Sequence, residues 1–110
     1  MSVDLKKLQK EVMRNKIEKG FNTTNVALEF CRVHEELSEA FSKYNKGQKG
    51  VAEEFADVTI FILGMCEKLG FDLEKELVQK IEINKKRKYK KEKSPNRNDV
   101  FIRIKTPEDL

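Results

Sequence analysis

Two neighbouring segments of the chain carry acidic residues with no basic residue among them. The acids recur three or four positions apart, as Glu35, Glu36 and Glu39 in the first segment and Glu53, Glu54 and Asp57 in the second. Like charges four positions apart each destabilise an isolated helix by about 0.2 to 0.5 kcal/mol. The chain holds 23 basic residues that could have relieved this repulsion. The grouping therefore indicates that the carboxylates have a functional role.

The helical spacing of these acids predicts a metal site. At 100° per residue, Glu36 and Glu39 fall on one flank of an apolar stripe, and Glu54 and Asp57 fall on the flank of the next stripe. If the two helices pack across the short loop between them, the four carboxylates converge. They would raise one another's pKa unless a cation neutralised them. Hard oxygen ligands with open positions favour Mg²⁺, with Mn²⁺ as a substitute.

The elements that position the acids are predicted to be helices. The first has apolar residues at helical spacing, is capped by Ser2 and ends before Gly20. The second runs from about Asn25 to Tyr44 on a clean 3.6-residue period. Residues 45–50 contain the glycine and asparagine typical of a tight turn between helices.

The third predicted helix is apolar on almost every face. Its main stripe runs from Val51 to Leu69, and Ile60, Phe61 and Leu63 lie on other faces. One small domain does not easily cover all of these faces, so part of this helix is expected to pack against another subunit. The prediction is a homo-oligomer, either a dimer or a tetramer.

The fourth helix and the tail follow a glycine. Asp72 is the predicted N-cap of this helix, which is expected to fray among the basic residues of 85–93 and to end by Pro95. A short strand is considered at Val100–Lys105, but no partner strand is evident, so the basic tail is left unassigned. The predicted fold is an all-α four-helix bundle, with a helical domain at 1–93 and a tail at 94–110.

The bulk properties fit one soluble domain. A chain of 110 residues with a formal net charge of +4 is too short for two separate cores. Cys31 and Cys66 lie in apolar helical stretches and predict packing roles in a reducing cytoplasm. No signal peptide is evident, and the apolar run Val58–Cys66 is about half of the ~20 residues that span a bilayer. No membrane partner is expected.

The acidic segments also carry a family resemblance. Glu35–Glu39 matches EExxE, and Glu54–Asp57 matches ExxD after a short spacer. A third element, Lys80–Tyr89, is similar to a KxxxNxxR segment and places Lys80, Asn84 and Arg87 on one helical face. Together these segments resemble the MazG-like all-helical nucleotide pyrophosphohydrolases, over roughly residues 5–89.

The resemblance implies a reaction and a set of roles. It implies magnesium ligands at Glu36, Glu39, Glu54 and Asp57, phosphate contacts from Lys80 and Arg87, and a sugar or base contact from Asn84. The metal and these cations would stabilise charge on a nucleoside triphosphate and position a water for attack at the α-phosphorus, releasing pyrophosphate. Either Glu35 or Glu36 would activate the water. The chain has no Trp, so base stacking would fall to Phe21, Phe41 or Tyr44.

Other interpretations of the same residues stay open. Acidic clusters on helices are often solvated faces, and His34 is interpreted as a structural or surface residue. Di-iron carboxylate bundles need Glu-x-x-His pairs, which this chain lacks. A non-enzymatic alternative is a nucleic-acid-binding or adaptor module that uses the basic run 85–93. That alternative explains the basic run but not the acids, so no nucleic-acid partner is expected.

Overall fold

The computed structural model describes residues 3–94 and 97–104 of the chain. Four helices precede a β-hairpin, in the order α1 (Leu5–Lys19), α2 (Val26–Asn45), α3 (Val51–Leu69), α4 (Leu73–Lys86), β1 (Lys88–Ser94) and β2 (Arg97–Ile104). The chain divides into two compact units, Met1–Glu74 and Lys75–Leu110. Within the described ranges, no helix is long and apolar enough to cross a membrane.

The helix ends follow local capping chemistry. Asp4 caps α1, because its side chain accepts a hydrogen bond from the Lys7 backbone N–H at 3.1 Å. The predicted cap at Ser2, which lies outside the described residues, is therefore wrong. Asn25 caps α2 as predicted by accepting from the Leu28 N–H at 3.0 Å. Gly70 ends α3 as predicted, with the left-handed φ of 75° that glycine adopts without strain.

In the first unit, α3 packs against both α1 and α2. Gln9 of α1 is fully buried and ties that helix to the turn after α3. Its amide nitrogen donates to the Phe71 carbonyl, and its amide oxygen accepts from the Leu73 N–H, both at 2.9 Å. This side chain thus satisfies backbone groups that the helix ends leave without partners.

A buried ion pair joins α1 to α2. The Lys16 ammonium contacts the Glu29 carboxylate and lies 5.4 Å from the centroid of the Phe61 ring. Gly64 of α3 leaves room for this lysine, because a Cβ there would lie 3.2 Å from Lys16 Cε. Both charged side chains are buried, so each needs the other to offset the cost of leaving water.

The apolar stripe of α2 lies mostly outside the core of the single chain. Phe30 is 53% exposed, Leu37 50%, Phe41 65% and Tyr44 72%, whereas Glu29 and Ala40 of the same helix are buried. The helix therefore turns Glu29 and Ala40 inward and its large apolar side chains outward. On α3, Phe55 and Ile60 are also about half exposed. The sequence predicted the excess of apolar surface on α3, but α2 exposes more of its large apolar side chains than α3 does.

The second unit contains a β-hairpin that the sequence pattern did not predict. Its strands β1 and β2 pair antiparallel, with Lys88 opposite Ile104 and Lys90 opposite Ile102. Helix α4 ends at Lys86, within the lysine-rich run where it was predicted to fray, and the part of that run from Lys88 onward lies in β1. The considered strand at Val100–Lys105 is present within β2 up to Ile104, and Lys105 lies outside the described residues. The domain division at 93/94 stays a prediction.

Candidate metal centre

Three carboxylates meet where α2 packs on α3. Oxygen atoms of Glu36, Glu54 and Asp57 all lie within 4.8 Å of one another. Glu36 comes from α2, while Glu54 and Asp57 lie three positions apart on α3 and so share one face of that helix. Glu54 is buried, Glu36 is half-buried and Asp57 is exposed. The cluster is therefore closed on one side and open to solvent on the other.

The two oxygens of the Glu54 carboxylate have different surroundings. Oε1 accepts a hydrogen bond from Lys43 Nζ at 2.7 Å. Oε2 is buried and, with the neighbouring carboxylates ionised, has no hydrogen-bond partner among the described residues. Burying a carboxylate oxygen without a partner costs free energy of folding, and such atoms are rare in native proteins. A cation held between the carboxylates would satisfy it, so the residues fit a metal ion with hard oxygen ligands.

The charges of the cluster shift its proton affinities. The pKa of Glu36 is raised to about 7, first by a hydrogen bond shared with Glu54, then by burial and by the negative charges of Glu39, Glu54 and Asp57. The pKa of Glu54 is lowered, chiefly by the hydrogen bond from Lys43 and then by that with Glu36. Without a metal, a proton in the cluster therefore resides on Glu36, and Glu54 stays ionised.

The remaining predicted acids lie outside this group of three. Glu39 is exposed but close enough that its charge raises the pKa of Glu36. Glu35 pairs with Arg32 at 3.1 Å, and both side chains are at least half exposed. The structure thus brings together three of the four predicted metal ligands, with Glu39 beside them. It does not bring Glu35 into the cluster.

A cleft of about 360 Å³ extends from Asp57 between α1 and α3. Its lining includes Glu11 and Asn15 of α1, the ring of Phe21 and the ring of Phe61. Phe21 was among the predicted stacking residues. Phe61 was not, although its position one helical turn after Asp57 is a signal that could have pointed to it. Aromatic rings beside an acidic cluster are suited to a ligand with a flat apolar part and a charged part.

The predicted phosphate contacts belong to the second unit. Arg87 Nη1 donates to Asn84 Oδ1 at 2.8 Å, so the structure brings these two side chains together. Lys80 is exposed on α4. The assignment of Lys80, Asn84 and Arg87 to a nucleotide stays a prediction.

The fold and the carboxylates define a helical protein with an acidic cluster between two packed helices. Comparison with family models gives the class a name. Residues 27–99, about two thirds of the chain, match the model of the MazG-like family. The protein therefore belongs to the MazG-like family. The matched range contains both acidic segments and the segment from Lys80 to Arg87. No curated protein and no solved structure matches the chain.

Proposed function

We propose that the protein is a magnesium-dependent nucleoside triphosphate pyrophosphohydrolase, which converts an NTP or dNTP to the monophosphate and pyrophosphate. The observation that carries the proposal is the buried Oε2 of Glu54 beside Glu36 and Asp57, which has no hydrogen-bond partner among the described residues when these carboxylates are ionised. Membership of the MazG-like family supports the reaction class. The free thiols of Cys31 and Cys66 suit action in the reducing cytoplasm.

In this proposal Glu36, Glu54 and Asp57, with Glu39 beside them, hold Mg²⁺, and Mn²⁺ can replace it. The bound ion would offset the negative charge of the triphosphate oxygens. Of the two candidate bases, Glu36 is the better supported, because it lies in the cluster whereas Glu35 pairs with Arg32. Glu36 would accept the proton of the water that attacks the α-phosphorus, and pyrophosphate would leave.

The nucleoside part of the substrate is assigned to the cleft beside Asp57. Its two rings, those of Phe21 and Phe61, offer stacking surfaces for a base. Stacking on an aromatic side chain contributes about 1–3 kcal/mol per base. Lys80 and Arg87 are proposed to contact the phosphates, and Asn84 the sugar or base.

We further propose that the protein works as a homo-oligomer, a dimer or a tetramer. The exposed residues Phe30, Leu37, Phe41 and Tyr44 lie on one side of α2 by their helical spacing. The buried apolar side chains of the described residues are few, namely Ala40, Leu63, Met65 and Cys66. A second copy covering this stripe would supply the apolar burial that the single chain lacks.

The decisive assay is a panel of NTPs and dNTPs, incubated with the full chain in the presence of Mg²⁺ or of EDTA. We expect at least one nucleotide to yield the monophosphate and pyrophosphate in equal amounts, only with Mg²⁺. Release of inorganic phosphate and a diphosphate would contradict the proposal, as would pyrophosphate release in EDTA.

A second candidate function, nucleic-acid binding by the hairpin, has one specific observation in its favour. The register places Tyr89 opposite Arg103 and Lys91 opposite Phe101, so one face of the ribbon alternates aromatic and basic side chains. Such a face can stack bases and neutralise phosphates. Fluorescence anisotropy with a labelled single strand tests it. Binding that weakens steeply with salt supports this function, and no binding at low salt excludes it.

A further inference from the structure

Lys43 reaches the carboxylate cluster from the last two turns of α2. Its ammonium donates to Glu54 Oε1 at 2.7 Å, and the lysine side chain is 33% exposed while that of Glu54 is 10% exposed. The contact crosses from α2 to the first turns of α3. In the sequence, Lys43 is merely the first base after the acids of the second helix. Its pairing with Glu54 is visible only in the fold.

Gly50 leaves space for the end of the Lys43 side chain. Gly50 precedes α3 in a left-handed conformation with a φ of 99°, and no side chain caps the helix there. A Cβ at Gly50 would lie 3.3 Å from Lys43 Nζ. A cation near a helix N-terminus is disfavoured by the helix dipole. The ammonium is therefore held in this position by its hydrogen bond with Glu54 and not by the end of α3.

The contact with Lys43 gives the two oxygens of the Glu54 carboxylate different roles. Oε1 accepts a hydrogen bond from Lys43, whereas Oε2 is buried and, in the part of the chain that the structure describes, has no hydrogen-bond partner while its neighbouring carboxylates are ionised. We propose that Lys43 is a positioning residue, which holds Glu54 so that Oε2 is presented to the cation bound with Glu36 and Asp57. The inference rests on the proposed metal site. It adds that the affinity of this site for metal depends on a residue that does not touch the metal.

A different role for Lys43 would give the opposite result. If the ammonium merely occupied the place of the metal, its removal would relieve competition and the cation would bind more tightly. If Lys43 positions Glu54, its removal frees the carboxylate to rotate and the cation binds more weakly. Residues that orient metal ligands typically contribute 10- to 100-fold to metal affinity.

The test is isothermal titration of Mg²⁺ and, separately, Mn²⁺ into the full chain. We expect Lys43→Met to weaken binding by about tenfold, within the range for such residues. Lys43→Gln, which keeps a polar head group without the charge, should show a comparable loss and is measured beside it in case Lys43→Met does not fold. Lys43→Arg should retain binding within about threefold, since it keeps a charged donor. Lys46→Met is the matched control, because Lys46 is exposed just after α2.

Unchanged or tighter binding in folded Lys43→Met or Lys43→Gln would overturn the positioning role. Glu54→Gln separates this outcome from failure of the proposed metal site. If Glu54→Gln binds Mg²⁺ as tightly as the unmodified protein, the site itself is wrong. If Glu54→Gln loses binding while both uncharged Lys43 variants retain it, the site stands and the role of Lys43 is wrong.

Discussion

The two units of the chain carry opposite charges and bury them differently. The sequence up to Glu74 has 11 basic and 13 acidic residues, a net charge of −2, whereas the sequence from Lys75 has 12 basic and six acidic residues, a net charge of +6. The first unit buries four polar or charged side chains, Gln9, Lys16, Glu29 and Glu54. In the second, the described lysines of the basic run, such as Lys88 and Lys90, are exposed.

The comparison shows that the formal net charge of +4 is the sum of two units with different charge environments. Charges buried in the first unit need specific partners: Lys16 has Glu29, and one oxygen of Glu54 has Lys43. The other oxygen of Glu54 has no such partner within residues 3–94 and 97–104, which is why a metal ion is proposed there. Exposed bases in the second unit stay in contact with water, so their charges do not depend on a buried partner of this kind.

The largest effect is expected from neutralising Glu36. Glu36→Gln removes a proposed metal ligand and base, so activity should fall by more than about 100-fold, beyond the typical loss when only a supporting residue is removed. Glu35→Gln is the matched control. The Glu35 carboxylate is exposed and pairs with Arg32, so this variant should retain activity within a few-fold. Pyrophosphate release by both variants checks this. Equal losses would place Glu35 in the site as well.

A second large effect is expected on assembly. Phe41→Glu places a charge in the middle of the exposed stripe of α2, so an interface formed there should dissociate because the carboxylate would be buried without a partner. Light scattering at micromolar concentration should show an oligomer for the unmodified chain and a smaller species for the variant. Lys46→Glu, outside the stripe, is the control. A monomeric unmodified protein would contradict the oligomer.

An intermediate effect is expected in the cleft beside Asp57. Phe61→Ala removes one of its two rings, and KM for the nucleotide should rise about tenfold if the ring stacks on the base. Phe55→Ala on the same helix truncates an exposed ring that is absent from the lining of this cleft, so it is the control. Steady-state kinetics of both variants distinguishes a role of the cleft in nucleotide binding from a general effect of shortening an aromatic side chain on α3.

A smaller effect is expected in the second unit. Arg87→Ala should raise KM by several-fold, because a hydrogen bond from a guanidinium to phosphate is charge-assisted but is weakened by water around this partly exposed side chain. The melting temperature should change little, since a half-exposed cation contributes little to stability. Kinetics and thermal unfolding are measured together. Unchanged KM would remove Arg87 from the substrate site.

The smallest effect is a dependence of stability on pH in the metal-free protein. The pKa of Glu36 is raised from 4.5 to about 7, so the folded state holds a proton that the unfolded chain has released between these values. The contribution of Glu36 to stability should therefore fall as the pH rises from 4.5 to 7. Melting curves in EDTA should show this fall for the unmodified chain and a flatter profile for Glu36→Gln. Identical profiles would show that the pKa of Glu36 is not raised in the folded protein.

Parts of this picture were predictable from short-range patterns. The periods of 3.6 residues and the glycine at position 70 predicted α2 and α3, and the three-residue spacing of Glu54 and Asp57 predicted their shared face. The hairpin was missed because its first strand is rich in lysine, and strands are usually recognised by alternating apolar residues.

Long-range contacts were not predictable in the same way. The pairing of Lys43 with Glu54 depends on how α2 rotates against α3, which the pattern of a single helix does not specify. The same rotation places the buried Glu29 inside and leaves the apolar ring of Phe41 outside. The pattern identified the apolar stripe of α2 but not which side of it faces the core.

The central claim is that the carboxylate cluster supports attack of water on the α-phosphorus of a nucleotide. It is tested most directly by hydrolysis in ¹⁸O-labelled water with Mg²⁺, followed by mass spectrometry of the products. We predict that the label enters the nucleoside monophosphate and that pyrophosphate is unlabelled. Label in pyrophosphate or in inorganic phosphate would show attack at another phosphorus and contradict the proposed function.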